Sequence, residues 1–173
     1  MKRKIFKVLF TLNILVVFLF FTYYINLKYE KYYDYNIKYI INSKVRINKK
    51  IIYIDKINLS KEVVKADKNF GNLKNNLVYY NDFNVNNKII IFGHSGNGHN
   101  AYFKDLYKLS IDDEVIIYDN GKEYKYILVN KYLIDEYDNY ILKEEENSKK
   151  MLLVTCDNID DSKRLVIELV KTL

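Results

Sequence analysis

One thiol, one imidazole and one guanidinium carry most of the chemistry this sequence can offer. Cys156 is the sole cysteine of the chain. A thiol becomes a useful nucleophile near neutral pH only with a base beside it or a depressed pKa. His94 follows the apolar run KIIIF and a glycine, Gly93, so a strand would set its position. The second histidine, His99, lies inside the loop SGNGHN and is expected to be peripheral. Arg164 is one of three arginines among 28 basic residues, in a chain that otherwise uses lysine. A guanidinium fork can hold an oxyanion or a carbonyl with a geometry that an ammonium lacks.

Each of the three has an ordinary reading when taken alone. Cys156 ends the apolar run MLLVT and could be a small core residue. His94 could be a solvated loop residue, and Arg164 a surface charge at the start of a strand. Together they supply a nucleophile, a proton carrier and an oxyanion partner, the parts of acyl transfer through a thioester. A metal site from His94, His99 and Cys156 has no fourth ligand and an uncommon zinc spacing, so no metal and no cofactor is expected.

The elements that would position these residues are strands. Runs rich in β-branched and aromatic residues occur at 50–57, 62–65, 88–93, 113–119, 123–134, 150–155 and 164–170. Asn-Gly at 120–121 predicts a tight hairpin turn with positive φ at both residues. Short helices are expected around 68–80, 100–108 and 138–147. The acidic run at 144–146 reads as a solvated face. Many short strands with few helices predict a mainly β protein, a closed or nearly closed barrel.

The N-terminal end differs in kind. Residues 8–25 form an uncharged, mostly apolar run of 18 residues after Lys2, Arg3, Lys4 and Lys7. At about 1.5 Å per residue such a helix just crosses a hydrocarbon core. The basic flank predicts a cytoplasmic N-terminus and an external C-terminal domain. No small-residue cleavage site follows, which favours a retained anchor in membrane lipid over a cleaved signal. The net charge of +6 belongs largely to this flank. Taking its four charges from the 28 basic residues leaves 24 against 22 acidic ones, which gives no electrostatic case for nucleic acid. The expected organisation is a basic flank and transmembrane signal-anchor at 1–27, a stalk rich in Tyr, Lys and Asn at 28–49, and a catalytic domain at 50–173.

The stretches NNKIIIFGHSGNGHNAYFKDLYKL at 86–109 and LLVTCDNIDDSKRLVI at 152–167 resemble the sortase family. IIYIDKINLSKEVV at 51–64 is similar to the first strands of the sortase barrel, although Asp55 stands where a proline is usual. The resemblance implies an eight-stranded β-barrel and a cysteine transpeptidase. It gives His94, Cys156 and Arg164 the catalytic places and Thr155 the place of the threonine before the nucleophile. Thr155 and Ser95 are expected to bind substrate. The implied partners are secreted proteins with a C-terminal LPXTG-like signal, cleaved between Thr and Gly, and an acceptor amine of a cell-wall precursor or a pilin. The short 134–150 connection leans towards a class A-like or class D-like enzyme. The same residues also suit a Cys–His hydrolase of another family, and an anchored binding module without catalysis is the third reading.

Overall fold

The computed structural model describes residues 13–25, 49–80 and 82–172. The chain divides into two units, 1–46 and 47–173. In the first unit, residues 13–25 are helical, and their large apolar side chains, Leu15 and Phe20 among them, are exposed. Among the described residues no helix is long and apolar enough to cross a membrane. Residues 8–12 of the expected span, the basic flank and nearly all of the expected stalk lie outside the described residues.

The second unit is an eight-stranded closed barrel, as the resemblance implied. Its strands are β1 (Lys50–Ile54), β2 (Leu59–Lys65), β3 (Leu77–Tyr80), β4 (Ile89–Phe92), β5 (Glu114–Asp119), β6 (Lys122–Asp135), β7 (Lys150–Cys156) and β8 (Lys163–Lys171). They follow the order β1-β2-β3-β4-β7-β8-β6-β5, and pairing of β1 with β5 closes the circle. Only β2–β3 and β4–β7 run parallel. Asn120 and Gly121 both take positive φ, 51° and 75°, and make the two-residue β5–β6 turn that Asn-Gly favours.

Four expectations are corrected. The segment 68–80 is not a helix: a 3₁₀ turn at Gly71–Lys74 leads into β3. Leu-Val-Tyr-Tyr at 77–80 suits a pleat, and β3 gains backbone partners on both sides. The helices expected at 100–108 and 138–147 shrink to 3₁₀ turns at Leu106–Lys108 and Tyr140–Leu142. Likewise β1 stops at Ile54, where Asp55–Ile57 turns the chain.

Side chains alternate across the barrel wall. The interior is filled by Ile52, Leu77, Ile91, Ile117, Tyr126, Leu153 and Ile167, among others, all fully or nearly fully buried. A second cluster forms on the outer face: Ile90, Leu152, Val154 and Val166, with Ile134 and Ile141. A β-bulge between Leu128 and Asn130 brings the second half of β6 into this layer. Before the bulge, even-numbered residues of β6 such as Tyr126 and Leu128 point inward. After it, Tyr132 and Ile134 join the outer cluster, because one extra residue reverses the alternation.

Candidate active site

The register of β4, β7 and β8 brings the three candidate residues to one edge of the barrel. Phe92 pairs with Val154 in the parallel β4–β7 ladder, and the Gly93 amide donates to the Val154 carbonyl at 3.1 Å. β4 ends at Phe92, and His94 follows two residues on, at the same edge of the barrel as the end of β7 that carries Cys156. On the other side, Cys156 pairs directly with Arg164 in the antiparallel β7–β8 ladder. Cys156 thus has Arg164 of β8 on one side and, on the other, the end of β4 that leads to His94, with neighbouring strands about 5 Å apart.

Alternation turns Cys156 and Arg164 towards the outer face. Cys156 shares its side of β7 with Leu152 and Val154, and Arg164 shares its side of β8 with Val166. A Cβ on Gly93 would point inward, to 2.4 Å from Leu77 Cδ2 and 2.6 Å from Phe103 Cδ2. Glycine is needed at 93 because the buried Phe103 ring packs where a side chain would stand. The Phe103 amide also donates to the His94 carbonyl at 2.9 Å, tying the loop after β4 to the core. His94 and Cys156 are both partly exposed, which permits access.

The short loop from Cys156 to Arg164 is held by its own aspartates. Asp157 Oδ2 accepts from the amides of Ile159 and Asp160, at 3.2 and 3.1 Å. Asp160 Oδ1 accepts from the Ser162 amide and hydroxyl, at 2.9 and 2.6 Å. Asn158 Nδ2 reaches across to the Lys104 carbonyl at 3.3 Å, joining this loop to the one that follows His94. These side-chain-to-backbone bonds are what Asx residues offer in tight turns.

Of the other sequence-predicted residues, Ser95 lies next to His94 and is partly exposed. Thr155 is 4% exposed, and alternation turns its side chain into the barrel, away from the face that carries Cys156. His99 is exposed in the loop, as expected. Beside the three candidates runs an apolar floor of Phe92, Val154, Leu152 and Ile90, flanked by Tyr80 and by Ile141 and Leu142. Phe70 closes one end, stacked on Tyr80 at 6.0 Å and edge-on to Phe92 at 5.6 Å. Sequence reasoning missed this floor, since it depends on strands becoming neighbours. It also missed Glu136, whose carboxylate meets Arg164 Nη2 at 2.7 Å.

A family profile for the sortase domain matches residues 52–171. The chain belongs to the sortase family. Its members are cysteine transpeptidases, so the readings of an unrelated thiol hydrolase and of a non-enzymatic binding module give way. Over 77 residues, 44% of this chain and 74% of the relative, the sortase is 32% identical to the provisionally named sortase YwpE of Bacillus subtilis (strain 168). Sortase A from Corynebacterium diphtheriae, in a lid mutant, has the same fold, with a TM-score of 0.65 at 20% identity over 75% of this chain and 72% of that one. A Clostridium perfringens sortase C, solved with the C-terminal cell wall sorting motif, matches with a TM-score of 0.62 at 19% identity over 71% of this chain and 69% of that one.

Proposed function

We propose that this sortase is a membrane-anchored transpeptidase that cleaves an LPXTG-like sorting signal and transfers the protein to a cell-wall or pilin amine. What supports this reading is that the end of β7 with Cys156, the paired Arg164 of β8 and the end of β4 that leads to His94 meet at one edge of the barrel. The apolar floor beside them suits the apolar residues that open such a signal. The sortase C solved with a sorting motif supports the substrate class. The uncharged run at 8–25 behind a basic flank supports the anchor.

In this reading the Cys156 thiolate attacks the carbonyl carbon of the scissile Thr–Gly peptide. Arg164 donates hydrogen bonds to the oxyanion that forms, where fixed donors lower the barrier most. The C–N bond then breaks, His94 gives its proton to the leaving glycine amine, and a thioester remains on Cys156. His94 next takes a proton from the acceptor amine, which attacks the thioester carbonyl. The new amide leaves, and the thiolate returns.

The test is turnover of a sorting peptide with an amine acceptor, read by mass spectrometry. Without acceptor, an acyl adduct should accumulate on Cys156 in the wild type. Cys156→Ala and His94→Ala should abolish transfer, while His99→Ala keeps most of it. Arg164→Lys retains the charge without the fork and should lose on the order of 10²-fold, the scale of one oxyanion donor. Hydrolysis alone despite abundant amine would refute the transferase reading, and absence of the adduct would refute the thioester.

A further inference from the structure

Arg164 is held in a defined pose before any substrate arrives. Its Nη1 donates to the carbonyls of Asp161 at 2.7 Å and Lys163 at 3.0 Å. Its Nη2 donates to Glu136 Oε2 at 2.7 Å. A guanidinium carries five N–H groups. Among the described contacts, three are therefore committed, and the Nε–H and one Nη2–H remain for a ligand. The two carbonyls belong to Arg164's own loop and strand start and would move with it. Glu136 follows the end of a different strand, β6, and is the contact that ties the guanidinium to the rest of the barrel.

Glu136 is itself fixed. It follows the last β6–β8 pair, Asp135 with Lys163, and its amide donates to the Ser162 carbonyl at 2.9 Å. The bulge in β6 sets its direction. After that bulge, even-numbered residues Tyr132 and Ile134 face out, and Glu136 continues the series onto the face of Arg164. The Arg164 and Glu136 side chains are 25% and 28% exposed, so their charge-assisted bond is partly shielded from water. The Tyr137 phenol donates to the Glu136 carboxylate, which holds the phenol proton above its ordinary range. The competing cation, Lys163, is drawn away by Asp135 at 2.6 Å.

We propose that Glu136 is a positioning residue for the sortase reaction: it fixes the Arg164 fork so that its two free N–H groups meet the oxyanion or a substrate carbonyl. This rests on Arg164 being the oxyanion partner. A long side chain ordered in advance loses less freedom in the transition state, so the effect belongs in kcat rather than KM.

The experiment measures kcat and KM of the full chain in detergent, with sorting peptide and amine, for wild type, Glu136→Ala, Glu136→Gln, Arg164→Met and the double variant Glu136→Ala/Arg164→Met. Glu136→Ala should lower kcat about tenfold or more with KM within about twofold, the scale of one charge-assisted hydrogen bond. Glu136→Gln keeps an acceptor oxygen and should recover most of that loss. In the Arg164→Met background, removing Glu136 should cost less than about threefold, because coupled residues are not additive. Thermal melts identify any variant that has lost its fold, and Glu136→Gln carries the comparison if the alanine does not fold. Unchanged kcat in both Glu136 variants, an equal loss with and without Arg164, or a kcat that rises once the carboxylate is gone would each overturn the proposal. Near-wild-type kcat in Arg164→Met would instead overturn the role of Arg164 itself, and that arm is read independently of Glu136.

Discussion

Gly93 fixes His94 from the inside of the barrel. Its missing side chain lets Leu77 and the Phe103 ring close over the end of β4, and the same Phe103 holds the His94 carbonyl. Gly93→Ala would bring a methyl to 2.6 Å from a ring that is 1% exposed. Something must shift, and overpacking of this kind costs about 1–3 kcal/mol. Because Phe103 also anchors the loop, the displacement should reach the imidazole. Urea unfolding should show the loss of stability, and turnover should fall beyond what the unfolded fraction explains. A variant that unfolds earlier but retains full turnover in its folded fraction would mean that His94 is placed without Phe103. At this scale the sequence was readable where chemistry and chain position coincide: a lone thiol at a strand end, a histidine after Gly. It was unreadable for Glu136, an ordinary acid whose direction depends on a bulge that neither alternation nor composition reveals.

The β6–β7 connection is stitched to the start of β4 and β7 rather than merely solvated. The acidic run at 144–146 is exposed as expected, yet Glu145 pairs with Lys88 at 2.8 Å and approaches Lys150 at 3.8 Å. The Lys88 amide also donates to the Glu145 carbonyl at 3.0 Å. The Lys88 side chain is only 4% exposed, while that of Glu145 is 45% exposed. The hydrogen bond from Lys88 holds the Glu145 carboxyl below the usual carboxylate range, against the opposing effect of burial. A depressed folded pKa gives stability that is present above the unfolded pKa and lost as pH falls through the folded one. Glu145→Gln should therefore cost about 1 kcal/mol at pH 7, kept small by solvent screening of the half-exposed carboxylate. The difference should vanish in acid, where the wild-type carboxyl is protonated too. Chemical unfolding of both proteins at neutral pH and below the carboxylate range checks this, and a pH-independent difference would sink the explanation. Strand identity was legible in this region and at β8 because Val, Ile, Leu and Tyr runs are dense. β3 was not legible: it is four residues long, and its strand character comes from the two neighbours that clasp it.

At the scale of the whole molecule, the chain divides into a unit at 1–46 and a barrel unit whose core, among the described residues, is drawn from its own strands and loops. The described strands close into a barrel through the β1–β5 pairing, so none of them is left as an open sheet edge. A chain beginning at residue 47 should fold and turn over a soluble sorting peptide with nearly the full kcat. Its behaviour in cells should differ. An enzyme and a substrate confined to one membrane surface meet at an effective concentration set by that confinement, which can raise apparent affinity by about 10²–10⁴ without any new contact. Without the run at 8–25, a secreted barrel should therefore keep its peptide activity and lose most attachment of a membrane-held substrate. The full chain should stay with the bilayer after alkaline extraction, while the shortened one should be found in the soluble fraction. Release of the full chain by that treatment would refute the anchor. Equal attachment by both forms would show that capture of the sorting signal needs only the barrel's outer groove.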